Sequence, residues 1–92
     1  MLTGHRGDVV RVEWLDAHVR HTDISDDWIQ QAGTSGGTPV TTVGILILRN
    51  SRCVILAQSR YNNLFEPWDE AVCIPRSLIT EMILIEENDA HK

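Results

Sequence analysis

The chain has 92 residues, of which 42% are hydrophobic and 23% charged, as in ordinary folded domains. This length predicts a single domain over residues 1–92. The net charge is −5, from 13 acidic against 8 basic residues. That balance disfavours long DNA or RNA as a partner, because proteins that neutralise phosphates generally carry a basic surplus. A short anionic ligand held by a few arginines is compatible with it.

The N-terminus and the cysteines bear on location. The chain does not start with a basic segment and a long apolar core, and no apolar run approaches the roughly 20 residues of a membrane span. We therefore expect a cytoplasmic protein without membrane association. Cys53 and Cys73 each lie inside an apolar stretch, too sparse a set for a disulfide framework. They are predicted to be small buried hydrophobes on neighbouring strands, close enough to approach one another.

The first element in chain order is a strand. Residues 9–14 read V-V-R-V-E-W, in which apolar and charged residues alternate. A period of two predicts a half-buried strand, and it places Trp14 in the core.

A polar segment over residues 17–39 follows this strand. Ser25 precedes two acidic residues and a short body that ends before Gly33, a pattern that predicts one or two helical turns. The Gly/Ser/Thr residues after it predict a flexible loop, and we expect this segment to be a variable loop with a short helix.

The middle of the chain carries the strongest strand signal. Residues 40–48 are dense in β-branched side chains, and residues 53–58 form a second apolar run after a polar turn. The short connection predicts an antiparallel hairpin. Gly44 inside the first of these strands predicts a bulge or a sharp bend.

The last third of the chain begins with a turn-rich loop over 61–70. A short strand is predicted at 71–74, one tight helical turn at 75–78, and a final strand at 79–86. The charged tail, 87–92, is predicted to be frayed.

Five strands with one turn between the last two predict a mostly β fold, a small and strongly bent barrel. The segments Ile45–Leu48 and Met82–Ile85 are apolar on both faces. A barrel hides only one face of each strand, so the second face is a candidate contact in a homo-oligomer. Self-association would also add buried surface to a domain this small.

Four short motifs resemble an uncharacterised family of short proteins common in bacteriophage and prophage genomes. They are V-R-V-E-W-L-D-A at the first strand, T-V-G-I-L-I at 42–47, V-I-L-A-Q-S at 54–59 and I-P-R-S-L-I at 74–79. The resemblance covers most of the chain outside 17–39, and it implies a five-stranded Src-homology-3-like or Sm-like barrel. Some small phage barrels act as sponges that sequester nucleotide signals of the host immune system, which would place this chain in the bacterial cytoplasm.

The sequence carries only weak signals for a metal site or a catalytic site. His18 and His21 stand among aspartates, but they lie in a predicted loop, and a solvated polar loop is the favoured interpretation. There is no G-x-S-x-G, no P-loop and no G-x-G-x-x-G at a strand-to-helix turn. We therefore expect no metal, no cofactor and no enzymatic activity.

Aromatic and arginine residues outside the predicted strands are the better candidates. Aromatic planes stack on bases and arginine forks match phosphate oxygens. The predicted ligand-binding residues are Trp28, Arg60, Tyr61, Trp68 and Arg76. The competing interpretation is that the loop aromatics plug the small core and the arginines are ordinary surface residues.

Two functional hypotheses follow from these patterns. In the first, the chain is a non-catalytic sponge for a cyclic oligonucleotide second messenger, with an aromatic residue stacking the base while Arg60 and Arg76 neutralise phosphate. In the second, it is a structural or protein-interaction module of a phage that forms a homo-oligomer. Binding of single-stranded nucleic acid is a third possibility, and the acidic balance disfavours it.

Overall fold

The computed structural model describes residues 4–17, 22, 24–60 and 68–88. These residues form five strands, one α-helix and one turn of 3-10 helix. In chain order the elements are β1 (Val9–Asp16), α1 (Asp26–Ser35), β2 (Thr38–Arg49), β3 (Cys53–Arg60), β4 (Trp68–Pro75), the 3-10 turn (Arg76–Leu78) and β5 (Ile79–Glu86). The predicted mostly β fold, the order of its elements and the helical turn before the last strand are confirmed.

All five strands pair antiparallel in one sheet with the order β4-β3-β2-β1-β5. β1 occupies the position next to both β2 and β5, and β4 and β5 are the two edges. No ladder joins these two edges within the described residues, so the sheet is not closed by pairing.

Several element boundaries differ from those predicted. α1 continues through Gly33 to Ser35, and the residue that ends it is Gly36, whose φ of 72° suits a left-handed cap with its N–H on Ala32 O. The predicted start is confirmed, because the Ser25 hydroxyl accepts the N–H of Trp28 at 3.1 Å.

Of the two alternatives predicted for Gly44, the bulge was wrong and the sharp bend stays a prediction. Gly44 pairs regularly with Val10 across β1 and β2. In the β2–β3 ladder the register shifts between Leu46 and Leu48. Position 44 requires glycine because the backbone of β3 lies very close to it. A Cβ at position 44 would be 2.9 Å from the Ala57 carbonyl oxygen.

One apolar face of the sheet forms the core. Its buried members come from all five strands: Val10, Val12, Leu46, Val54, Leu56, Ile74 and Met82. Trp14 packs against them as predicted, partly buried, and its indole N–H donates to Thr42 Oγ1 at 2.9 Å. An indole N–H inside a protein needs such a partner.

The helix α1 stands apart from this core. None of its residues is buried, and Ile29 is 53% exposed. The radius of gyration is 16.2 Å, against about 12 Å for a compact chain of this length. No helix in the described part of the chain has the length and apolarity that crossing a membrane requires.

A substitution at Gly44 tests the close approach of β2 and β3. We expect Gly44→Ala to lower the free energy of unfolding by about 1–3 kcal/mol, because the added methyl meets backbone that cannot move away cheaply. Gly33→Ala is the matched control, since a Cβ there meets open space and alanine favours a helix by about 0.5–1 kcal/mol. Urea unfolding of both variants measures the two effects. A Gly44→Ala protein as stable as the parent would contradict the observed packing.

Candidate functional site

Two of the predicted binding residues lie against each other. Arg60 ends β3 and Trp68 begins β4, and the two are directly paired in the ladder. Directly opposed residues of an antiparallel pair project to the same side of the sheet. The Arg60 guanidinium carbon lies 5.4 Å from the centroid of the Trp68 ring, within the range of a cation–π contact. Trp68 thus belongs to a strand and not to the predicted loop.

A second guanidinium meets the same ring. The guanidinium carbon of Arg6 lies 5.7 Å from the Trp68 centroid. We call Arg6, Arg60 and Trp68 the arginine–indole cluster. It joins the N-terminal segment to Arg60 of β3 and Trp68 of β4, which lie more than fifty residues later in the chain. It also places two like charges on one aromatic side chain.

Arg6 is presented by a tight turn over His5–Asp8. The N–H of Asp8 donates to the His5 carbonyl at 2.9 Å, which closes the turn. Gly7 has φ 95°, as the third residue of a type II turn requires, and Arg6 is the second. The Gly7 N–H then donates to Leu46 O at 2.7 Å and anchors the turn to β2.

A cleft of about 290 Å³ lies between this turn and the end of β2. Its lining residues are Gly4, His5, Arg6, Leu46, Ile47, Leu48 and Arg49. Two of them are arginines and none is acidic, although the chain as a whole carries a net charge of −5. The volume is close to the lower limit of about 300 Å³ for ligand pockets. Arg6 therefore belongs both to the cluster and to a cleft with a basic lining.

Backbone strain accompanies the cluster. Glu70, two residues after Trp68, has φ 52°, a left-handed conformation that residues other than glycine seldom adopt. Such strained positions recur at ligand sites, where the surrounding structure holds them.

The other predicted binding residues lie elsewhere. Arg76 belongs to the 3-10 turn, where its Nη1 donates to Asn50 O at 2.9 Å and its backbone N–H donates to Arg52 O at 2.8 Å. This is the end of β3 away from Arg60, about 23 Å along the strand at roughly 3.3 Å per residue. Arg60 and Arg76 therefore lie at opposite ends of β3, where Arg76 joins two turns, and their joint role in neutralising phosphate stays a prediction.

Trp28 and Tyr61 complete the predicted set. Trp28 lies in the first turn of α1, half-buried, and the Arg60–Trp68 contact does not involve it. Tyr61 lies outside the described residues.

The two cysteines are closer to solvent than predicted. They do approach one another from β3 and β4, and neither is in a disulfide. Cys53 is only half-buried, however, and Cys73 is exposed, so their assignment as buried hydrophobes was wrong. A side-chain hydrogen bond to Cys73 raises the pKa of the Cys53 thiol, with smaller contributions from burial and from the charge of Cys73.

This pair predicts an order of reactivity. The thiolate is the nucleophile, so a raised pKa slows Cys53 at neutral pH, and we expect iodoacetamide to alkylate the exposed Cys73 several-fold faster. In Cys73→Ala the largest cause of the shift is removed, so the pH midpoint for alkylation of Cys53 should fall. Mass spectrometry of peptides quenched at intervals, over a range of pH, gives both rates. A midpoint for Cys53 that is unchanged in Cys73→Ala would exclude the coupling.

Within the described residues, no three His, Cys, Asp or Glu side chains group in a way that could hold a metal ion. The histidine pair that the sequence offered for that role, His18 and His21, lies outside those residues.

Comparisons with protein-family models, with curated proteins and with solved structures each returned no match to this chain. The resemblance to phage proteins therefore stays a prediction from the sequence motifs.

Proposed function

We propose that the protein is a non-catalytic binder of a small anionic ligand, and that the arginine–indole cluster is its binding site. The observation that carries the proposal is the pair of guanidinium groups, Arg6 and Arg60, on the single ring of Trp68. The ligand class that suits such a site best is a cyclic oligonucleotide second messenger, which the protein would sequester in the bacterial cytoplasm.

The electrostatics of the cluster favour an anion. The guanidinium carbons of Arg6 and Arg60 lie 5.7 Å and 5.4 Å from one ring centroid, so the cluster concentrates positive charge at one point of a chain whose net charge is −5. A phosphate at the cluster would accept charge-assisted hydrogen bonds from one or both guanidinium groups. In this arrangement Trp68 orients the arginines, and a base of the ligand stacks on a guanidinium or on the part of the indole left uncovered.

The size and charge of the site favour a short ligand over a polymer. The cleft that Arg6 shares with Arg49 holds about 290 Å³. Beyond the cluster the chain is acidic, with a net charge of −5, so a long nucleic acid would meet repulsion along its length.

The fold supports a further part of the proposal. The strand order β4-β3-β2-β1-β5 and the 3-10 turn between β4 and β5 are what a small Src-homology-3-like or Sm-like barrel would have. We propose that the sheet curls toward such a barrel, with β4 and β5 at its seam.

Calorimetry against a panel of cyclic di- and trinucleotides tests the proposed function. We expect at least one to bind with a micromolar or lower Kd, and the affinity to fall as salt rises, since charged contacts are screened. Adenosine, which has a base but no phosphate, is the control and should not bind. Absence of binding across the panel at high micromolar concentration would rule the proposal out.

A second candidate function is self-association, and exposed apolar residues on the sheet favour it. On the edge strand β5, Leu84 is 40% and Ile85 53% exposed, and on β2 Val43 is 47% exposed. In contrast, Leu46 and Met82, from the same apolar segments, are buried in the core. Light scattering of the parent and of Ile85→Asp separates the two functions. An oligomer that dissociates in the variant while ligand binding stays intact favours an assembly role for the sheet face that carries Ile85 and Val43.

A further inference from the structure

Asp8 is a buried carboxylate at the base of the turn that carries Arg6. Its side chain is 1% exposed, and it is the single buried charged residue among those described. A buried charge is costly unless hydrogen bonds compensate it, so its bonds indicate what it holds in place.

The two carboxylate oxygens of Asp8 face different parts of the chain. Oδ2 accepts the backbone N–H of His5 at 2.7 Å, three residues earlier. Oδ1 accepts the backbone N–H of Asn88 at 2.7 Å, eighty residues later. The carboxylate therefore joins the N-terminal turn to Asn88, two residues after the end of β5.

The backbone of Asp8 is fixed as well. Its carbonyl accepts the N–H of Leu46 at 2.8 Å, and its N–H closes the turn on His5. Gly7 packs so closely on Asn88 that a side chain at position 7 would collide with the Asn88 amide. Asp8, Gly7 and Asn88 thus hold the turn in place, and Arg6, the residue before Gly7, extends from it to Trp68.

We propose that Asp8 is the positioning residue of the arginine–indole cluster: its buried carboxylate ties the turn that carries Arg6 to the chain after β5, and the affinity of the site depends on that tie. The site is then sensitive to events at the C-terminal end of β5, because a change in the backbone at Asn88 reaches Arg6 through one side chain. The affinity part of this inference rests on the proposed function, whereas the positioning part does not.

Asp8→Asn tests the tie directly. The amide keeps one acceptor oxygen and replaces the other with an N–H₂ group, which faces a backbone N–H and cannot accept from it. We expect the NMR signals of the Arg6 guanidinium and the Trp68 indole to lose the shifts that their contact produces, while those of Arg60 and of the core methyls of Val12 and Leu56 keep theirs. Asp16→Asn, the same chemical change at an exposed residue, is the matched control and should leave all of these signals in place.

Asn88→Pro removes the other half of the tie and keeps Asp8. Proline has no N–H to donate to Oδ1, and residue 88 follows the last strand, so the sheet is left intact. The same change at Arg6 is expected in this variant, which keeps the test decisive if Asp8→Asn does not fold. Arg6 and Trp68 signals that are unchanged in both variants would overturn the inference.

Binding of cyclic di-adenosine monophosphate gives the second readout. Asp8→Asn and Arg6→Ala should each weaken the Kd about tenfold, and the double variant should weaken it no further, because both changes remove the same interaction. Additive losses would contradict a role for Asp8 through Arg6. If neither this dinucleotide nor any other member of the panel binds the parent protein, the proposed function fails, and the NMR comparison alone decides the positioning role.

Discussion

Replacing Arg6 and Arg60 together by alanine is expected to weaken the binding of a cyclic dinucleotide by at least about 100-fold. A hydrogen bond to a charged group contributes about 1.5–3 kcal/mol, and each 1.4 kcal/mol is a factor of ten in Kd. Each single variant should therefore lose about tenfold or more, and the double variant should retain little binding at micromolar ligand. Calorimetry of the parent, the two single variants and the double variant measures the losses.

Arg11→Ala is the matched control for these variants. It removes the same charge, but Arg11 alternates along β1 with the buried Val10 and Val12 and so lies on the opposite face of the sheet. Its partner is Glu13, whose Oε1 is 3.2 Å from Nε, in a partly exposed pair of small energetic weight. If Arg11→Ala weakened ligand binding as much as Arg6→Ala does, the affinity would depend on the net charge of the protein and not on the cluster.

Leu56→Ala is expected to lower the free energy of unfolding by about 2–5 kcal/mol. This is the usual range when a buried leucine is shortened to alanine and a cavity is left in the core. Leu56 is fully buried and pairs with Leu46 on one side and Val72 on the other. A domain of this size has a total stability of about 5–14 kcal/mol, so the variant should unfold at a markedly lower urea concentration.

The control for this prediction is Leu48→Ala, which removes the same atoms from a side chain that is 42% exposed. We expect its loss to stay below about 1 kcal/mol, since most surface substitutions have small effects. Equal losses in the two leucine variants would contradict the assignment of the core face.

The strands were predictable from the sequence because each carries its own signal. The alternation in β1 and the β-branched runs of β2 and β3 are local patterns, and they placed these strands to within a few residues. The start of β4 was missed for a physical reason. Asp69 and Glu70 have low strand propensity, so the sequence pattern does not indicate a strand at these positions. β4 nevertheless begins at Trp68, because Trp68 pairs with Arg60 of β3. Pairing between distant segments is a tertiary effect, which no window along the chain contains.

The cluster was predictable only in part. The sequence analysis chose Arg60 and Trp68 by residue type and position, but it did not choose Arg6. No pattern around Arg6 indicates that its side chain reaches Trp68 at the start of β4. The signal available was Gly7 followed by Asp8, a glycine and a carboxylate at turn spacing. The position of Arg76 at the other end of β3 was not predictable either, because no local pattern shows which end of that strand the 3-10 turn packs against.

The most direct test of the proposed site is an NMR titration of the isotopically labelled protein with cyclic di-adenosine monophosphate. The indole N–H of Trp68 and the guanidinium N–H groups of Arg6 and Arg60 report from inside the cluster, while the indole of Trp14, bonded to Thr42, reports from the core. We predict saturable shifts of the three cluster signals with one common Kd and a constant Trp14 signal. Binding that shifts other residues and leaves these three in place would contradict the assignment of the site.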